Sequence, residues 1–302
     1  MNDAVTPLVS VVVPTYNHAG YLGRALQSVL NQTYTNWEAI VIDNHSTDNT
    51  DEVMARFIDP RITYLKIHNN GIIAVSRNAG ICVAKGEWIA FLDSDDCWKN
   101  DKLKVCFEYM NDKVDLIYHS LEIFSERPRR FSRKLIKSRQ VRCPVIMDLL
   151  LNGNALATSS VVVRKKLLMQ VKGMNENPNM VAAEDYNTWL KIANITDRFK
   201  FIPKALGKYF IHIGGFSQRD MSVPYGYAVF NFTSRLSKNE LMCVRSNINY
   251  IHGRYEYLNK KYITAELVLK QCIHYCNFEI SFKSILMILV IRVRLLLNYP
   301  PI

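Results

Sequence analysis

Three observations predict an α/β fold with a mostly parallel sheet flanked by helices and a helical C-terminal extension. From Leu8 to about His119, short β-rich runs alternate with amphipathic helical ones. The strand candidates end in polar clusters, as the strands of an open sheet do where they meet a ligand. Beyond about Asp220 the strand signals give way to helical spacing.

In chain order, Leu8 to Val13 reads as the first strand, and Tyr21, Leu22, Ala25, Leu26, Val29 and Leu30 then recur with helical period. Trp37 to Ile42 is a second buried strand, and Asp48 is placed to cap the next helix, whose first turn carries Asp51 and Glu52 as the helix dipole favours. Ile62 to Lys66 is a third, weaker strand. A helix from about Ile72 ends near Lys85-Gly86, where glycine can supply a left-handed cap. Glu87 to Leu92 is the fourth strand, Leu103, Cys106, Phe107 and Met110 mark a helix, and Asp115 to His119 is a further strand. A strand around Ser159 to Arg164, a helix from Lys165, a loop from Gly173 to Asn179 and a helix from near Glu184 follow. Tyr250, Tyr257, Ala265, Leu269 and Cys272 suggest a helical hairpin. The expected division is therefore 1–219, with a first half of about 1–120 and a second of about 121–219, and an extension over 220–302.

Bulk properties narrow the class. The chain has 302 residues, enough for a large core, and 49% hydrophobic with 22% charged residues marks it as ordered. A formal charge of +11 favours a partner that carries negative charge. Nucleic acid ranks last, because no aromatic-basic interleaving accompanies that charge. Arg127 to Arg142 holds eight Arg or Lys residues and no acid, and reads as a solvated basic flap. Seven cysteines, an odd number without paired metal spacing, argue against a disulfide framework and for reduced cytosol. Cys272 and Cys276, one helical turn apart with no second pair, suit helix packing better than zinc. The N-terminus lacks the basic and apolar regions of a signal peptide, so export is not indicated and a cytoplasmic location is expected. Ile285 to Leu297 is apolar apart from Arg292 and Arg294. At about 1.5 Å per residue it reaches roughly 20 Å, short of a bilayer core of about 30 Å, so it is not expected to span; it suits peripheral contact with an anionic inner membrane face or packing on the helical hairpin.

The chemistry concentrates after the strands. Asp93-Ser94-Asp95-Asp96 crowds three carboxylates into one loop, which a hard divalent cation, Mg²⁺ or Mn²⁺, would make tolerable. Pro14-Thr15-Tyr16-Asn17 follows the first strand and Asp43-Asn44-His45-Ser46-Thr47-Asp48 the second. Thr15 and Tyr16 offer a hydroxyl and an aromatic face, Asp43 an acceptor for a base N–H, and Asp93 an acceptor for ribose hydroxyls. Together they describe a nucleotide pocket. Neither a GxGxxG after the first strand nor a GxxxxGK[ST] is present, so a diphosphate must be held mainly by metal.

Pro14-Thr15-Tyr16-Asn17, Asp43…Ser46-Thr47-Asp48, Arg77-Asn78-Ala79-Gly80, Asp93-Ser94-Asp95-Asp96 and Glu184-Asp185 occur in an order that resembles family 2 glycosyltransferases over roughly residues 8 to 215. The resemblance implies the GT-A fold and an inverting, metal-dependent transfer of a sugar from a nucleotide-diphosphate donor, with UDP expected, to an acceptor hydroxyl. It implies that Asp43 reads the base, that Asp93 and Ser94 sit near ribose, that Asp95 is the main metal ligand and that Arg77 faces the nucleotide. One departure stands out: relatives carry Asp-Asp-Gly-Ser where this chain has Asp43-Asn44-His45-Ser46, so a contact made by the second carboxylate becomes an amide contact.

Inversion needs a base opposite the departing diphosphate. Acids open helices for dipole reasons alone, but the donor motifs and the resemblance assign the base to Asp185, with Glu184 orienting the acceptor. A positive helix end is expected to lower that base's pKa. His212 is a candidate metal or phosphate ligand, although a lone histidine is more often structural. Trp189 is a candidate sugar platform whose helical position suits core packing better. The expected partners are a nucleotide-sugar donor and a glycan or lipid-linked saccharide acceptor in surface polysaccharide synthesis. Two alternatives differ in signature: a sugar-phosphate nucleotidyltransferase would carry a basic Gly-rich loop after the first strand, and a non-catalytic nucleotide- or lipid-binding adaptor would tolerate loss of Asp95 and Asp185.

Overall fold

The computed structural model describes residues 6–125, 135, 136, 138–212, 219–273 and 278–297. Its elements in chain order are β1 (Val9–Thr15), α1 (Ala19–Leu30), β2 (Trp37–Asp43), α2 (Thr50–Met54), β3 (Ile62–Lys66), α3 (Ile73–Val83), β4 (Trp88–Phe91), β5 (Cys97–Trp98), α4 (Lys102–Phe107), β6 (Leu116–Ser125), β7 (Leu135–Ile136), α5 (Val145–Asn152), β8 (Val162–Arg164), α6 (Lys165–Gln170), α7 (Glu184–Ala193), β9 (Phe199–Ile211), α8 (Ser222–Phe230), α9 (Lys238–Leu258), α10 (Tyr262–Lys270) and α11 (Phe278–Leu296). The strands form one sheet in the order β3-β2-β1-β4-β8-β6-β9-β5, with β7 paired to β6.

The sheet has two characters. β1, β2, β3 and β4 are parallel neighbours, with Thr15 opposite Asp43 and Val12 opposite Phe91. β8 then pairs antiparallel with both β4 and β6, and β9 returns parallel to β6 across an irregularity at Ser120. β1 is buried at every position, as a central parallel strand covered on both faces must be. Alternate residues feed opposite layers: Val12, Ile40, Ile89 and Phe91 pack with Tyr186 and Trp189, whereas Val11, Val13, Val41 and Ala90 pack with Leu22, Leu26 and Leu103.

Two glycines set how closely this framework closes. A Cβ on Gly80 would fall 2.5 Å from Val12 Cγ1, so α3 packs against β1 only because residue 80 has no side chain. Gly86 does not supply the left-handed cap expected of it; α3 ends at Ala84 with extended geometry, and residue 86 is instead pressed against strand β1. A Cβ there would lie 2.6 Å from Leu8 O, and its N–H donates to Ser10 Oγ at 2.8 Å. Asp48 likewise differs from a simple cap: one carboxylate oxygen accepts from Ala19 N at the start of α1 and the other from Thr50 N at the start of α2. It ties two helix N-termini together.

Close packing of α3 lets Arg77 reach between two elements far apart in sequence. Its guanidinium, 3% exposed, pairs with Asp93 after β4 at 2.6 Å and with Glu184 at the start of α7. The next residue, Asn78, donates to Met174 O at 2.9 Å and accepts from Met174 N at 2.8 Å, fixing the loop before α7. The motif Arg77-Asn78-Ala79-Gly80 therefore joins β1, β4 and α7 around one helix.

The C-terminal helices fall into two groups. Ala228 and Val229 of α8 and Val244 of α9 belong to the main core, so the chain after residue 220 is partly built into the body it follows. Ala265, Leu269, Ile288 and Ile291 form a separate cluster between α10 and α11. Among the described residues no helix is long and apolar enough to cross a membrane. Arg127, Pro128, Lys134 and Lys137 of the basic flap, and Cys276, lie outside the described residues. Arg139, at the end of the flap, pairs with Asp148 of α5.

Two stability outcomes are expected. Arg77→Ala leaves Asp93 and the buried Glu184 without a shared cation, and urea denaturation should show a loss of about 3 kcal/mol or more; a double-mutant cycle with Glu184→Gln should recover part of it. Lys102 is fully buried, its Nζ lacks a hydrogen-bond partner among the described residues, and it lies 3.4 Å from the centroid of the Trp98 ring. Burial pushes its pKa from 10.5 down to about 7. The folded state thus holds fewer protons than the unfolded one between those values, and stability rises with pH across that window. Lys102→Met should raise the melting temperature at pH 7, by about 3 kcal/mol in stability, and the gain should shrink as pH approaches 10.

Candidate active site

A cleft of about 600 Å³ opens where the parallel strands end. Pro14, Thr15 and Tyr16 reach it from β1, Asn44 from the loop after β2, Arg77 from α3, and Asp93, Ser94, Asp95 and Asp96 from the loop after β4. Glu184 and Asp185 reach it from the first turn of α7. Asn154 to Ser159, His212, Tyr225 of α8 and Ile251 of α9 line it as well. Thr15 Oγ1, Arg77 Nε and Glu184 Oε2 are buried with no hydrogen-bond partner among the described residues, which is unmet polar capacity beside the cleft.

The acidic loop separates its three carboxylates. Asp96 is 1% exposed and accepts from Phe210 N at 2.9 Å, anchoring the loop to β9; burial, then Asp95 and Asp93, hold its pKa well above the usual carboxylate range. Asp93 receives Arg77, and its own N–H donates to Ser159 Oγ at 3.1 Å. Asp95 has its carbonyl held by Arg24 Nη2 at 2.7 Å, with that guanidinium 4.4 Å from the Phe210 ring centroid. Its carboxylate lies 3.0 Å from His212 Nε2, and burial followed by the Asp93 charge raises its pKa. His18 Nδ1 is 2.8 Å from Ser94 Oγ, and its ring meets that of His212 edge-on at 5.7 Å.

Among the described residues no cluster of three or more His, Cys, Asp or Glu forms a ready metal cage. Asp95 and His212 do bring one carboxylate and one imidazole together beside the raised charge density of Asp93. That donor set suits a hard divalent cation whose remaining positions go to water and phosphate.

The loops after β1 and β2 carry a correction. Asp43 was expected to read a base directly, but it is fully buried: its carboxylate accepts from Ser46 N at 3.0 Å, from Ser46 Oγ, and from the Tyr64 hydroxyl at 2.8 Å. It shapes the loop, and Asn44 is the residue that faces the cleft while its Oδ1 accepts from Asn69 N at 2.8 Å. Asn17, with φ of 51°, does not line the cleft; its Oδ1 accepts from Thr47 N at 2.8 Å and its N–H donates to Ser46 Oγ at 2.8 Å. The first-strand loop is thereby stitched to the second. Tyr16 remains 52% exposed and free to stack.

Glu184 and Asp185 divide as their neighbours dictate. Glu184 is 3% exposed and paired with Arg77 through one oxygen, while the other, Oε2, is buried beside the cleft with no hydrogen-bond partner among the described residues. Asp185 accepts from Thr158 Oγ1 at 2.7 Å, and its pKa is pushed up to about 6 by burial and by Glu184. The expected lowering by the helix end does not prevail, because desolvation and a like charge outweigh the dipole. Trp189 is fully buried beside Phe91, at 6.0 Å between ring centroids, and cannot act as a sugar platform. His18, Thr158, Tyr225 and Ile251 were not singled out by sequence. Only His18 had a local cue, standing directly after Pro14-Thr15-Tyr16-Asn17.

Comparison with known proteins places this arrangement. The family model described as glycosyl transferase family 2 matches residues 10–168, just over half of the chain. The chain is 32% identical over 191 residues to the putative teichuronic acid biosynthesis glycosyltransferase TuaG of Bacillus subtilis, covering 62% of this chain and 72% of that one. It is 32% identical over 189 residues to the Escherichia coli UDP-Glc:alpha-D-GlcNAc-diphosphoundecaprenol beta-1,3-glucosyltransferase WfgD, covering 61% and 69%. Among solved structures, residues 1–349 of S. aureus TarS in complex with UDP-GlcNAc align with a TM-score of 0.64 at 17% identity, covering 94% of this chain and 88% of that one. The mannosyltransferase PcManGT of Pyrobaculum calidifontis, in complex with GDP-Man and Mn²⁺, aligns with a TM-score of 0.59 at 17% identity, covering 98% and 89%. The fold is of the GT-A type, and the chain belongs to glycosyl transferase family 2.

Proposed function

We propose that this glycosyltransferase moves a sugar, with inversion at the anomeric carbon, from a UDP-sugar to a hydroxyl of a lipid-linked saccharide in surface polysaccharide synthesis at the cytoplasmic face of the membrane. One observation carries the reading. The Asp185 carboxylate shares a cleft with Asp93 and Asp95, and the chain Glu184–Arg77–Asp93 holds the two acid groups in fixed relation. The printed donors of WfgD and of the TarS complex, UDP-Glc and UDP-GlcNAc, support a uridine donor, and the diphosphoundecaprenol named for WfgD supports a lipid-linked acceptor. Residues 1–219 would carry the donor and base groups, and 220–302 the extension.

In this reading Thr15, Tyr16, Asn44 and Asp93 receive the nucleoside, with Asp43 supporting the loop that presents Asn44. Asp95 and His212 are assigned to Mg²⁺ or Mn²⁺, which when bound supplies positive charge to the departing diphosphate. Asp185, oriented by Thr158, accepts the proton of the acceptor hydroxyl as its oxygen bonds to the anomeric carbon and the bond to the diphosphate breaks. A carboxylate with a pKa near 6 is a better proton acceptor than an unperturbed one yet is largely ionised at pH 7. Asn154 and Tyr225 would meet the polar part of the acceptor, and Ile251 its apolar part.

Transfer should be followed as nucleotide release with Mn²⁺, a panel of UDP-, GDP- and dTDP-sugars and a lipid-linked acceptor. Asp185→Asn should lower kcat by about a thousandfold, with donor binding retained. For the unaltered enzyme, kcat/KM should fall as pH drops through about 6, because protonated Asp185 cannot accept a proton. Asp95→Asn and His212→Ala should each raise the Mn²⁺ concentration for half-maximal activity about tenfold or more, and chelation should abolish transfer reversibly. Full transfer by both Asp95→Asn and Asp185→Asn with a working donor and acceptor would overturn the roles assigned to these residues, whereas no transfer by the unaltered chain with any donor would favour the adaptor reading.

A further inference from the structure

Helix α11 carries two apolar faces, and only one is covered. Ser281, Ser284, Ile288 and Ile291 point inward, with Ile288 and Ile291 in the cluster shared with α10. Phe282, Leu286, Leu289, Val293 and Leu296 recur at spacings of four and three and are 53 to 82% exposed. At about 100° per residue they form a single stripe along the outer side of the helix. Of the 24 large hydrophobic residues exposed among the described residues, 10 lie within Phe278–Leu297, so this is a patch and not ordinary scatter.

Charge distinguishes the candidate occupants. By the same angular count, Lys283 and Arg294 flank the stripe on one side and Arg292 on the other, a placement from which long side chains reach past an apolar face to a polar boundary. Across α10 and α11, Lys270, Lys283, Arg292 and Arg294 face only two acids, Glu266 and Glu279, and the whole chain carries +11. Arg292 and Lys270 share the single Glu266, leaving the edge of the patch net positive. A second copy of the same helix would bring like charges together along the same edges, whereas an anionic lipid surface meets the apolar stripe and its cationic flanks together.

We propose that the outer face of α11 is a docking surface for an anionic lipid bilayer, with the stripe set among the acyl chains and Lys283, Arg292 and Arg294 at the headgroups. The connection to the cleft is short. Ile251 of α9 lines the cleft, and the adjacent Tyr250 packs on the α10–α11 cluster, so one helix joins the docking surface to the acceptor end. The proposal deepens the lipid-linked acceptor reading, but it stands on the surface of α11 alone.

The test is co-sedimentation of the full chain, without donor or acceptor, with vesicles of phosphatidylcholine and with vesicles containing about one third phosphatidylglycerol. Binding should be at least about tenfold stronger to the anionic vesicles and should weaken with salt. Leu289→Glu with Val293→Glu should abolish it while circular dichroism and melting temperature stay unchanged, because these two side chains are exposed and outside the packed cluster; Lys283→Gln with Arg294→Gln should weaken it about tenfold, with loss of the Arg294 hydrogen bond to Tyr262. Absence of binding to anionic vesicles overturns the proposal, as does binding that the Leu289/Val293 variant retains. A concentration-dependent dimer that the same variant disrupts, without vesicle binding, assigns the face to a second copy. None of these outcomes depends on sugar transfer, so failure here leaves the transferase reading standing.

Discussion

A buried guanidinium between two carboxylates organises this molecule. Arg77 joins Asp93, just after a central strand, to Glu184, at the start of a helix 107 residues further along the chain than Arg77 itself. Glu184 cannot be covered without the cation, and the cation cannot be covered without the two acids, of which Asp93 stays partly exposed, so the three groups must lie together. That requirement fixes the distance between the acidic loop and α7, and with it the relation of Asp93 and Asp95 to Asp185 across the cleft. The arrangement rests in turn on Gly80, whose missing side chain allows α3 to lie close enough to β1 for Arg77 to reach both.

The same burial governs the acid-base chemistry. Two neighbouring acids open α7, and a helix N-terminus ordinarily favours the ionised form of each. Here Glu184 is paired directly with the Arg77 cation that it shares with Asp93, whereas Asp185 accepts from the Thr158 hydroxyl and the Tyr186 N–H and has its pKa raised by burial and by Glu184. Two adjacent residues of the same chemical type are thus driven to different tasks by what their side chains touch.

Much of the framework was legible in the sequence, because hydrophobic period and strand-ending polar clusters report directly on layers and on strand ends. β1 to β4, α3, α7 and the grouping of Thr15, Arg77, Asp93, Asp95 and Asp185 about one cleft follow from that reading. What could not be read is which face of a loop a side chain takes. Asp43 and Asn44 are adjacent, and only the register of the turn, closed by Ser46 and Tyr64, turns the first inward and the second outward. Gly86 is conspicuous as a glycine, but the close approach of Leu8 that demands it comes from a strand far back in the chain. Thr158, Tyr225 and Ile251 carry no pattern of their own, since their roles exist only after separate elements have met.

The presence of Ile251 in the cleft wall has an evolutionary side. The groups assigned to the donor come from strand ends that also hold the central sheet together, so changes there would disturb folding and the proposed chemistry at once. The wall contributed by α8 and α9 belongs to helices added after the sheet is complete, and their cleft-facing residues can vary without touching Arg77 or the acidic loop. Under the proposed function, the residues assigned to the acceptor can therefore change while those assigned to the donor stay constant, and one nucleotide-sugar framework can be redeployed to build different polymers.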